Sequence, residues 1–124
     1  MSLPTARHAI ILLAHGSRDP LWKTPIEAVA RQIAELSPDV PVCCAYLEAT
    51  SPDLAGSVAK LAALGVATVR VVPLFLGMGK HTREDLPQLM ASVRRTYPQI
   101  AFDLRPSLGE EPGVIELVAR IALS

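Results

Sequence analysis

Two histidines and one glutamate each follow an apolar run of the sequence. His15 comes directly after AIILLA, Glu48 directly after VCCAYL, and His81 five residues after VVPLFL. Neutral imidazoles suit cobalt, nickel, iron or zinc better than magnesium or calcium. A carboxylate binds a metal ion or accepts protons from a substrate. Together these residue types predict a site that handles a transition metal and moves protons.

Each of these side chains has a simpler interpretation when it is taken alone. A histidine after a strand is more often hydrogen-bonded to the protein than bound to a metal. Glu48 suits the N-terminal end of the following helix, where the helix dipole favours negative charge. Their positions relative to the predicted elements therefore decide between the interpretations.

Apolar runs alternate with amphipathic segments along the whole chain, which indicates a βα unit repeated four times. Continuous apolar strands alternating with helices are typical of a parallel sheet covered on both faces. Right-handed crossovers favour a doubly wound strand order of 2-1-3-4. The predicted strands are 9–14, 42–47, 68–76 and 100–104. The last helix is predicted at 112–123, packed by Val114, Leu117, Val118 and Ile121.

Three local features refine this prediction. Thr24 and Glu27 resemble a capping box at the start of the first helix. Pro73 cannot donate to a strand ladder, so the third strand is expected to leave the sheet there. Pro87 disfavours a helix that starts at Thr82, so the third helix is predicted to begin near Asp85.

Ligands of open parallel sheets bind beyond the carboxyl ends of the strands, near the point where the strand order reverses. With the first strand between the second and the third, His15, Glu48 and His81 converge on that edge. Gly77 and Gly79 precede His81 and allow positive φ angles and the close approach of a ligand.

Polar and basic residues gather beside the two histidines. Arg18 and Arg83 are placed to bind substrate carboxylates, although a solvated loop rim is an equal alternative. Ser17 also suits a hydrogen bond to the backbone of its own turn. The predicted substrate-binding set is Ser17, Arg18, Gly79, Lys80 and Arg83.

Composition narrows the class of protein. The length of 124 residues predicts one domain, 1–124. The formal net charge is zero and only 4% of the residues are aromatic, and both values argue against a nucleic-acid partner. No apolar stretch approaches the ~20 residues of a membrane span. The adjacent Cys43 and Cys44 suit neither a disulfide nor a zinc site, and they fit a cytoplasmic protein. The first nine residues show no signal-peptide pattern.

Four segments carry a resemblance to a known family. LLAHGSRDP (12–20), AYLEATSPDL (45–54), VPLFLGMGKHTREDLP (72–87) and SLGEEP (107–112) resemble the class II tetrapyrrole chelatases. The chain is most similar to the small CbiX-type sirohydrochlorin cobaltochelatases. With the helices between the segments, the resemblance covers nearly the whole chain.

This resemblance implies a flavodoxin-like fold that forms one half of a chelatase. It also implies a lyase that inserts a divalent ion into sirohydrochlorin on the way to cobalamin, with cobalt as the leading candidate. Iron or nickel insertion are family variants. It implies that His15 and His81 handle the metal and that Glu48 assists. The metal is then a substrate, and no cofactor is bound permanently. Longer family members carry two such halves, so a homodimer is the expectation for this chain.

Proton transfer and metal release complete the predicted mechanism. The macrocycle loses two pyrrole protons, and Glu48 is the preferred acceptor, with either histidine as an alternative. Imidazole must be neutral to bind a metal, and free histidine titrates near ~6.5, so activity is expected to fall below about that pH.

Two alternatives without catalysis remain open. One is a metal carrier that uses both histidines and is indifferent to Glu48. The other is a tetrapyrrole-binding module. Lys80 favours the second, because many members of the family have glycine at that position.

Overall fold

The computed structural model describes residues 7–124. Met1–Ala6, which belong to the segment without a signal-peptide pattern, lie outside the described residues. Four strands alternate with four α-helices, and a short 3₁₀ turn at Leu108–Glu110 precedes the last helix. The strands are β1 (His8–Ala14), β2 (Val42–Tyr46), β3 (Thr68–Pro73) and β4 (Ala101–Leu104). The helices are α1 (Thr24–Leu36), α2 (Leu54–Ala63), α3 (Lys80–Thr96) and α4 (Pro112–Leu123).

All neighbouring strands pair in parallel, in the order β2-β1-β3-β4. Leu12 in β1 is in register with Cys44 of β2 and Val72 of β3. The predicted doubly wound α/β sheet is therefore confirmed. The third strand also ends at Pro73, where the missing N–H was expected to end the pairing.

The main core lies on one face of the sheet. Ile11 and Leu13 of β1 pack there with Val69 and Val71 of β3, and α2 and α3 cover them. Period-two alternation sends the intervening side chains to the opposite face, over which α1 lies. Cys43 belongs to the main-core side, whereas Glu27 of α1 acts electrostatically on Cys44.

Two predicted helix starts are wrong. The helix α3 begins at Lys80 and contains Pro87 in its interior. Pro87 leaves the carbonyl of Arg83 without its helical partner, but Arg83 is exposed, so water can bond to that oxygen. The capping box is absent from α1, because Lys23 occupies the cap position and makes no side-chain cap hydrogen bond.

The predicted packing of α4 is also wrong. The helix has the predicted bounds, but none of its residues is buried, and its main contacts are with the 3₁₀ turn before it. The four residues expected to pack it against the sheet are Val114, Leu117, Val118 and Ile121. Within residues 7–124, no helix is long and apolar enough to cross a membrane.

Candidate metal and tetrapyrrole site

An open cavity of about 710 Å³ lies at the carboxyl edge of the sheet, against the start of α3. It contains His15, Glu48 and His81, the three side chains predicted to converge. The other lining residues are Leu47, Gly79, Lys80, Thr82, Asp85, Leu86, Gln88 and Leu89. Its position beyond the strand ends, where the chain order reverses at β1, is the expected binding position in this type of sheet.

His15 is the first residue after β1 and is exposed to the cavity. Its ring lies against the ring of the buried Phe75, with centroids 4.4 Å apart. Its backbone carbonyl accepts hydrogen bonds from the N–H groups of Leu47 at 3.1 Å and Glu48 at 2.9 Å. The backbone that carries His15 therefore fixes the backbone that carries Glu48.

Gly16 makes this coupling possible. Its φ is +103°, and an added Cβ would lie 1.8 Å from the Glu48 carbonyl oxygen. Only glycine avoids both the strained dihedral and the overlap. On the other side of Glu48, Ala49 adopts a φ of 65°, and the Thr50 N–H bonds to the Glu48 carbonyl at 2.8 Å. Glu48 thus lies in a turn held tightly at both ends.

His81 is the second residue of α3, not part of a loop. Gly79 caps the helix, and its carbonyl accepts from the Arg83 N–H at 3.0 Å. Gly77 and Gly79 do not have the positive φ expected for them, and an added Cβ at either would meet nothing within 4 Å. Their contribution is open space beside the histidine.

Asp85 is a cavity residue that the sequence prediction missed. Because α3 begins at Lys80, His81 and Asp85 are four residues apart on one helix and share a face. The predicted start near Asp85 hid this spacing. The signal was available in the sequence as His81-x-x-x-Asp85, provided that Pro87 is tolerated inside the helix.

The predicted substrate-binding residues divide into two groups. Gly79 and Lys80 line the cavity, whereas Ser17, Arg18 and Arg83 are not among its lining residues. The Ser17 hydroxyl accepts from the Asp19 N–H at 3.1 Å, which is the alternative role considered for it. The Arg83 guanidinium donates to the Met78 carbonyl at 3.2 Å. Substrate contact by Ser17, Arg18 and Arg83 stays a prediction.

The strand β2, which ends just before Leu47 and Glu48 of the cavity, contains three side chains with raised pKa values. Burial raises the pKa of the Cys43 thiol, although Lys60 opposes the shift. Burial also raises the pKa of Cys44, with further contributions from Glu27 and Cys43. The pKa of Tyr46 is raised by burial first and by Cys44 second. These groups stay protonated near neutral pH and contribute packing, not charge, below the cavity.

The arrangement is chemically open. Among residues 7–124, no three His, Cys, Asp or Glu side chains are grouped closely enough to hold a metal ion. Two imidazoles and two carboxylates nevertheless line one cavity, together with one ammonium group. Such a cavity presents separate metal-binding and proton-accepting groups to a ligand that enters between them.

Comparison with known proteins gives this geometry a family. The CbiX family model matches residues 9–122. The chain belongs to the CbiX family. This CbiX-family chain is 34% identical over 82 residues to the sirohydrochlorin cobaltochelatase of Methanopyrus kandleri, covering 66% of this chain and 57% of the relative. It is 32% identical over 87 residues to that of Methanosarcina acetivorans, covering 70% and 67%. The matched region thus spans only part of these relatives.

Solved structures share the fold of this chain. A protein described as the cobalamin (vitamin B12) biosynthesis CbiX protein of Marinobacter aquaeolei VT8 superposes with a TM-score of 0.80 at 31% identity, covering 93% of each chain. SirB from Bacillus subtilis with Fe³⁺ superposes with a TM-score of 0.75 at 24% identity, covering 92% of this chain and 45% of SirB. The second likeness shows the shared fold alone, and it extends over slightly less than half of SirB.

Proposed function

We propose that this chain catalyses insertion of a divalent metal ion into sirohydrochlorin on the way to cobalamin, with cobalt as the leading candidate. The observation that carries the proposal is that His15, Glu48 and His81 line one open cavity in a CbiX-family chain. Relatives that are sirohydrochlorin cobaltochelatases support the choice of substrate and metal. Iron or nickel insertion is the variant of the same reaction to be distinguished by experiment.

In the proposed reaction, the neutral imidazoles of His15 and His81 hold the incoming M²⁺. Two imidazoles leave coordination positions unfilled, so the nitrogens of the macrocycle can replace water and then the protein ligands. The metal is a substrate that leaves with the product. An open ligand set suits this passage better than a closed structural site.

Insertion releases two protons from the pyrrole nitrogens, and these need acceptors. Glu48 accepts the first in the proposal, and Asp85 accepts the second, because both carboxylates line the cavity. Each pyrrole N–H bond breaks as a carboxylic O–H bond forms, while the nitrogen lone pair goes to the metal. The macrocycle gains M²⁺ and loses two H⁺, so charge is conserved.

Sirohydrochlorin carries carboxylate side chains that need a cationic partner. Lys80 lines the cavity at the first position of α3 and supplies an ammonium group beside His81. We assign it the binding of one substrate carboxylate. Arg18 and Arg83 join it in the proposal at the rim, where a large macrocycle extends beyond the cavity.

The proposed working form is a cytoplasmic homodimer of one-domain chains, each domain comprising residues 1–124. Large apolar side chains remain exposed on α4, among them Leu117 and Ile121, which supports association with a second copy. The two cysteines are unpaired thiols, which supports a reducing compartment.

An anaerobic absorption assay tests the proposal. Purified protein is mixed with sirohydrochlorin and Co²⁺, Fe²⁺ or Ni²⁺ in turn, and the rate is compared with the spontaneous rate. Acceleration with at least one metal is expected, and H15A and H81A should each abolish it. The matched control is H8A, because His8 is exposed at the opposite edge of the sheet and bonds Thr68. No acceleration with any of the three metals contradicts the proposal.

A non-catalytic metal- or tetrapyrrole-binding module is the second candidate, favoured by Lys80 in the cavity. The variant E48Q separates the two. A chelatase should lose roughly 10²–10⁴-fold in rate while keeping its affinity for Co²⁺. A carrier or binding module should show neither acceleration in the wild type nor any effect of E48Q on ligand affinity.

A further inference from the structure

The imidazole of His15 lies against an aromatic ring of the core. Its centroid is 4.4 Å from that of the Phe75 ring, and the two ring planes are inclined by 34°. This separation is at the short end of the range for interacting rings. Phe75 is 2% exposed, whereas His15 is exposed to the cavity. The phenyl ring therefore forms a wall behind the imidazole, on the side of the core.

The register of the sheet brings these two residues side by side. Leu13 of β1 pairs with Pro73 of β3, and His15 and Phe75 each follow two residues later. Side chains two apart on a strand point to the same face, which is the core face here. The Leu74 N–H bonds to the Leu13 carbonyl at 2.7 Å, so β1 holds the chain beyond the end of β3. The backbone before Phe75 is thus fixed to the strand that carries His15.

The ring nitrogens of His15 are not held by hydrogen bonds. Among the side-chain hydrogen bonds of residues 7–124, none involves the imidazole of His15. Both nitrogens are therefore available to a metal, but neither fixes the direction of the ring. A histidine side chain has three staggered positions at χ1 and about two at χ2. The contact with Phe75 is the described interaction that selects among them.

The 3₁₀ turn at Leu108–Glu110 holds Phe75 from the other side. The Gly109 N–H bonds to the Phe75 carbonyl at 3.2 Å, and an added Cβ on Gly109 would lie 1.6 Å from the Leu76 carbonyl oxygen. Only a residue without a Cβ can approach the backbone so closely. The SLGEEP segment (107–112), which has no residue in the cavity, thereby acquires a part in the site.

We propose that Phe75 is a positioning residue of the metal site, because its ring keeps the His15 imidazole in the orientation that receives the metal ion. The 3₁₀ turn keeps Phe75 in place through Gly109. The inference rests on the proposed function, in which His15 is a metal ligand, and adds a residue that touches neither the metal nor the macrocycle. Phe75 acts on the site through His15 alone.

The size of the effect follows from the number of rotamers. Without the phenyl ring, the imidazole distributes over up to about six positions, three at χ1 times two at χ2. When only one of them binds the metal, the apparent dissociation constant rises by the inverse of its population, which gives roughly 3–6-fold. Once the metal is bound, the competent rotamer is already selected. Loss of the ring should therefore raise KM for the metal and leave kcat nearly unchanged.

The test compares F75L with F102L. Phe102, the other phenylalanine of the chain, packs against the same core from β4, which β3 separates from β1. Titration with Co²⁺ should give F75L a dissociation constant about 3–6-fold above that of the wild type, and F102L the wild-type value. In the cobalt and sirohydrochlorin assay, F75L should raise KM for Co²⁺ by the same factor and keep kcat within about twofold. A merely structural loss would not produce this division. Circular dichroism shows whether both variants are folded.

Nuclear magnetic resonance detects the contact itself. Overhauser cross-peaks are expected in the wild type between the imidazole C–H protons of His15 and the ring protons of Phe75, with H15A identifying the imidazole signals. At a pH of about 8, where free imidazole is neutral, F75L should move these signals downfield, because the ring current of the phenyl group is lost. F102L should leave them in place.

The variant G109A tests the turn. The added methyl group must move from 1.6 Å to at least 3.4 Å from the Leu76 carbonyl oxygen, which separates the turn from the Phe75 backbone by about 1.8 Å. G109A should therefore shift the His15 signals and raise the Co²⁺ dissociation constant by about twofold or more. The matched control is G113A, because an added Cβ there meets nothing within 4 Å, and it should change neither quantity.

Three results would overturn the inference: a wild type without the His15–Phe75 cross-peaks, an F75L protein with wild-type Co²⁺ affinity, or equal losses in F75L and F102L. If F75L does not fold, the wild-type cross-peaks and G109A decide. A G109A protein that matches the wild type in both measurements would overturn the part assigned to the turn. Affinity and resonance need no turnover, so an inactive wild type with the cross-peaks and the F75L loss of affinity would contradict the proposed catalysis alone.

Discussion

The substitution Gly16→Ala tests whether the turn after β1 contributes both to the stability of the fold and to the positions of His15 and Glu48. The added methyl group would lie 1.8 Å from the Glu48 carbonyl oxygen, whereas ordinary contacts begin at 3.4 Å. The difference, 3.4 Å minus 1.8 Å, means that the backbone must move by about 1.6 Å to restore ordinary contact. A φ of +103° costs an alanine about 1–2 kcal/mol. With the overlap included, we expect the free energy of unfolding to fall by roughly 2–4 kcal/mol.

The same movement separates two predicted site residues. The His15 carbonyl accepts the Glu48 N–H at 2.9 Å, so shifting the Glu48 turn changes the distance between the imidazole and the carboxylate. Misplacement by about 1 Å lowers rates by roughly 10²-fold. Urea unfolding measures the first effect, and the cobalt and sirohydrochlorin absorption assay measures the second.

Two glycines provide matched controls for this experiment. Gly65 has a φ of +75° with nothing within 4 Å of an added Cβ, so Gly65→Ala carries the dihedral cost without the overlap. It should lose about 1 kcal/mol and keep full activity. Gly77 has neither feature, and Gly77→Ala should be nearly neutral for stability. If Gly16→Ala behaves like Gly65→Ala in both assays, the coupling argument is refuted.

Three further outcomes follow from the described contacts. The Asp53 carboxylate caps α2 by accepting the Gly56 N–H at 2.8 Å. Asp53→Ala removes this cap, so urea unfolding should show that the free energy of unfolding falls by about 1 kcal/mol, with activity retained. Ala49 has a φ of 65°, which glycine adopts without strain. Ala49→Gly should therefore raise the free energy of unfolding by about 0.5–1 kcal/mol in the same assay, and a decrease would contradict this expectation. Burial raises the pKa of Cys43 and Cys44, so less thiolate is present at pH 8 and a thiol reagent should react more slowly than with free cysteine, until urea unfolds the chain. Equal rates in the folded chain would count against a raised pKa of these thiols.

The sheet was predictable because its determinants are local and consistent. Each strand is an apolar run bounded by turn residues, and the handedness of the crossovers leaves few strand orders. The end of β3 at Pro73 follows from one missing N–H. The convergence of His15, Glu48 and His81 on one cavity follows from the strand order alone, whereas their roles stay predictions.

Two features were not predictable from local rules. A proline usually breaks a helix because it removes a hydrogen bond, yet the α3 carbonyl that loses its partner belongs to an exposed residue, so the cost is small and the helix continues through Pro87. Asp85 was missed as a consequence. The periodicity of α4 predicted its bounds correctly, but an apolar stripe does not specify which surface covers it, and within the described residues its own sheet does not.

The openness of the cavity bears on the proposed transfer of a metal ion. A permanent metal site gains its affinity from three or four ligands fixed by one fold. Here the cavity offers two imidazoles without a third side chain grouped closely enough to complete a metal site among residues 7–124. In the proposed reaction the metal leaves with the product, and tight coordination would oppose its transfer to the macrocycle. The large flat macrocycle of the proposed reaction also needs a wide opening, and the cavity at the carboxyl edge of the sheet is open in the single chain.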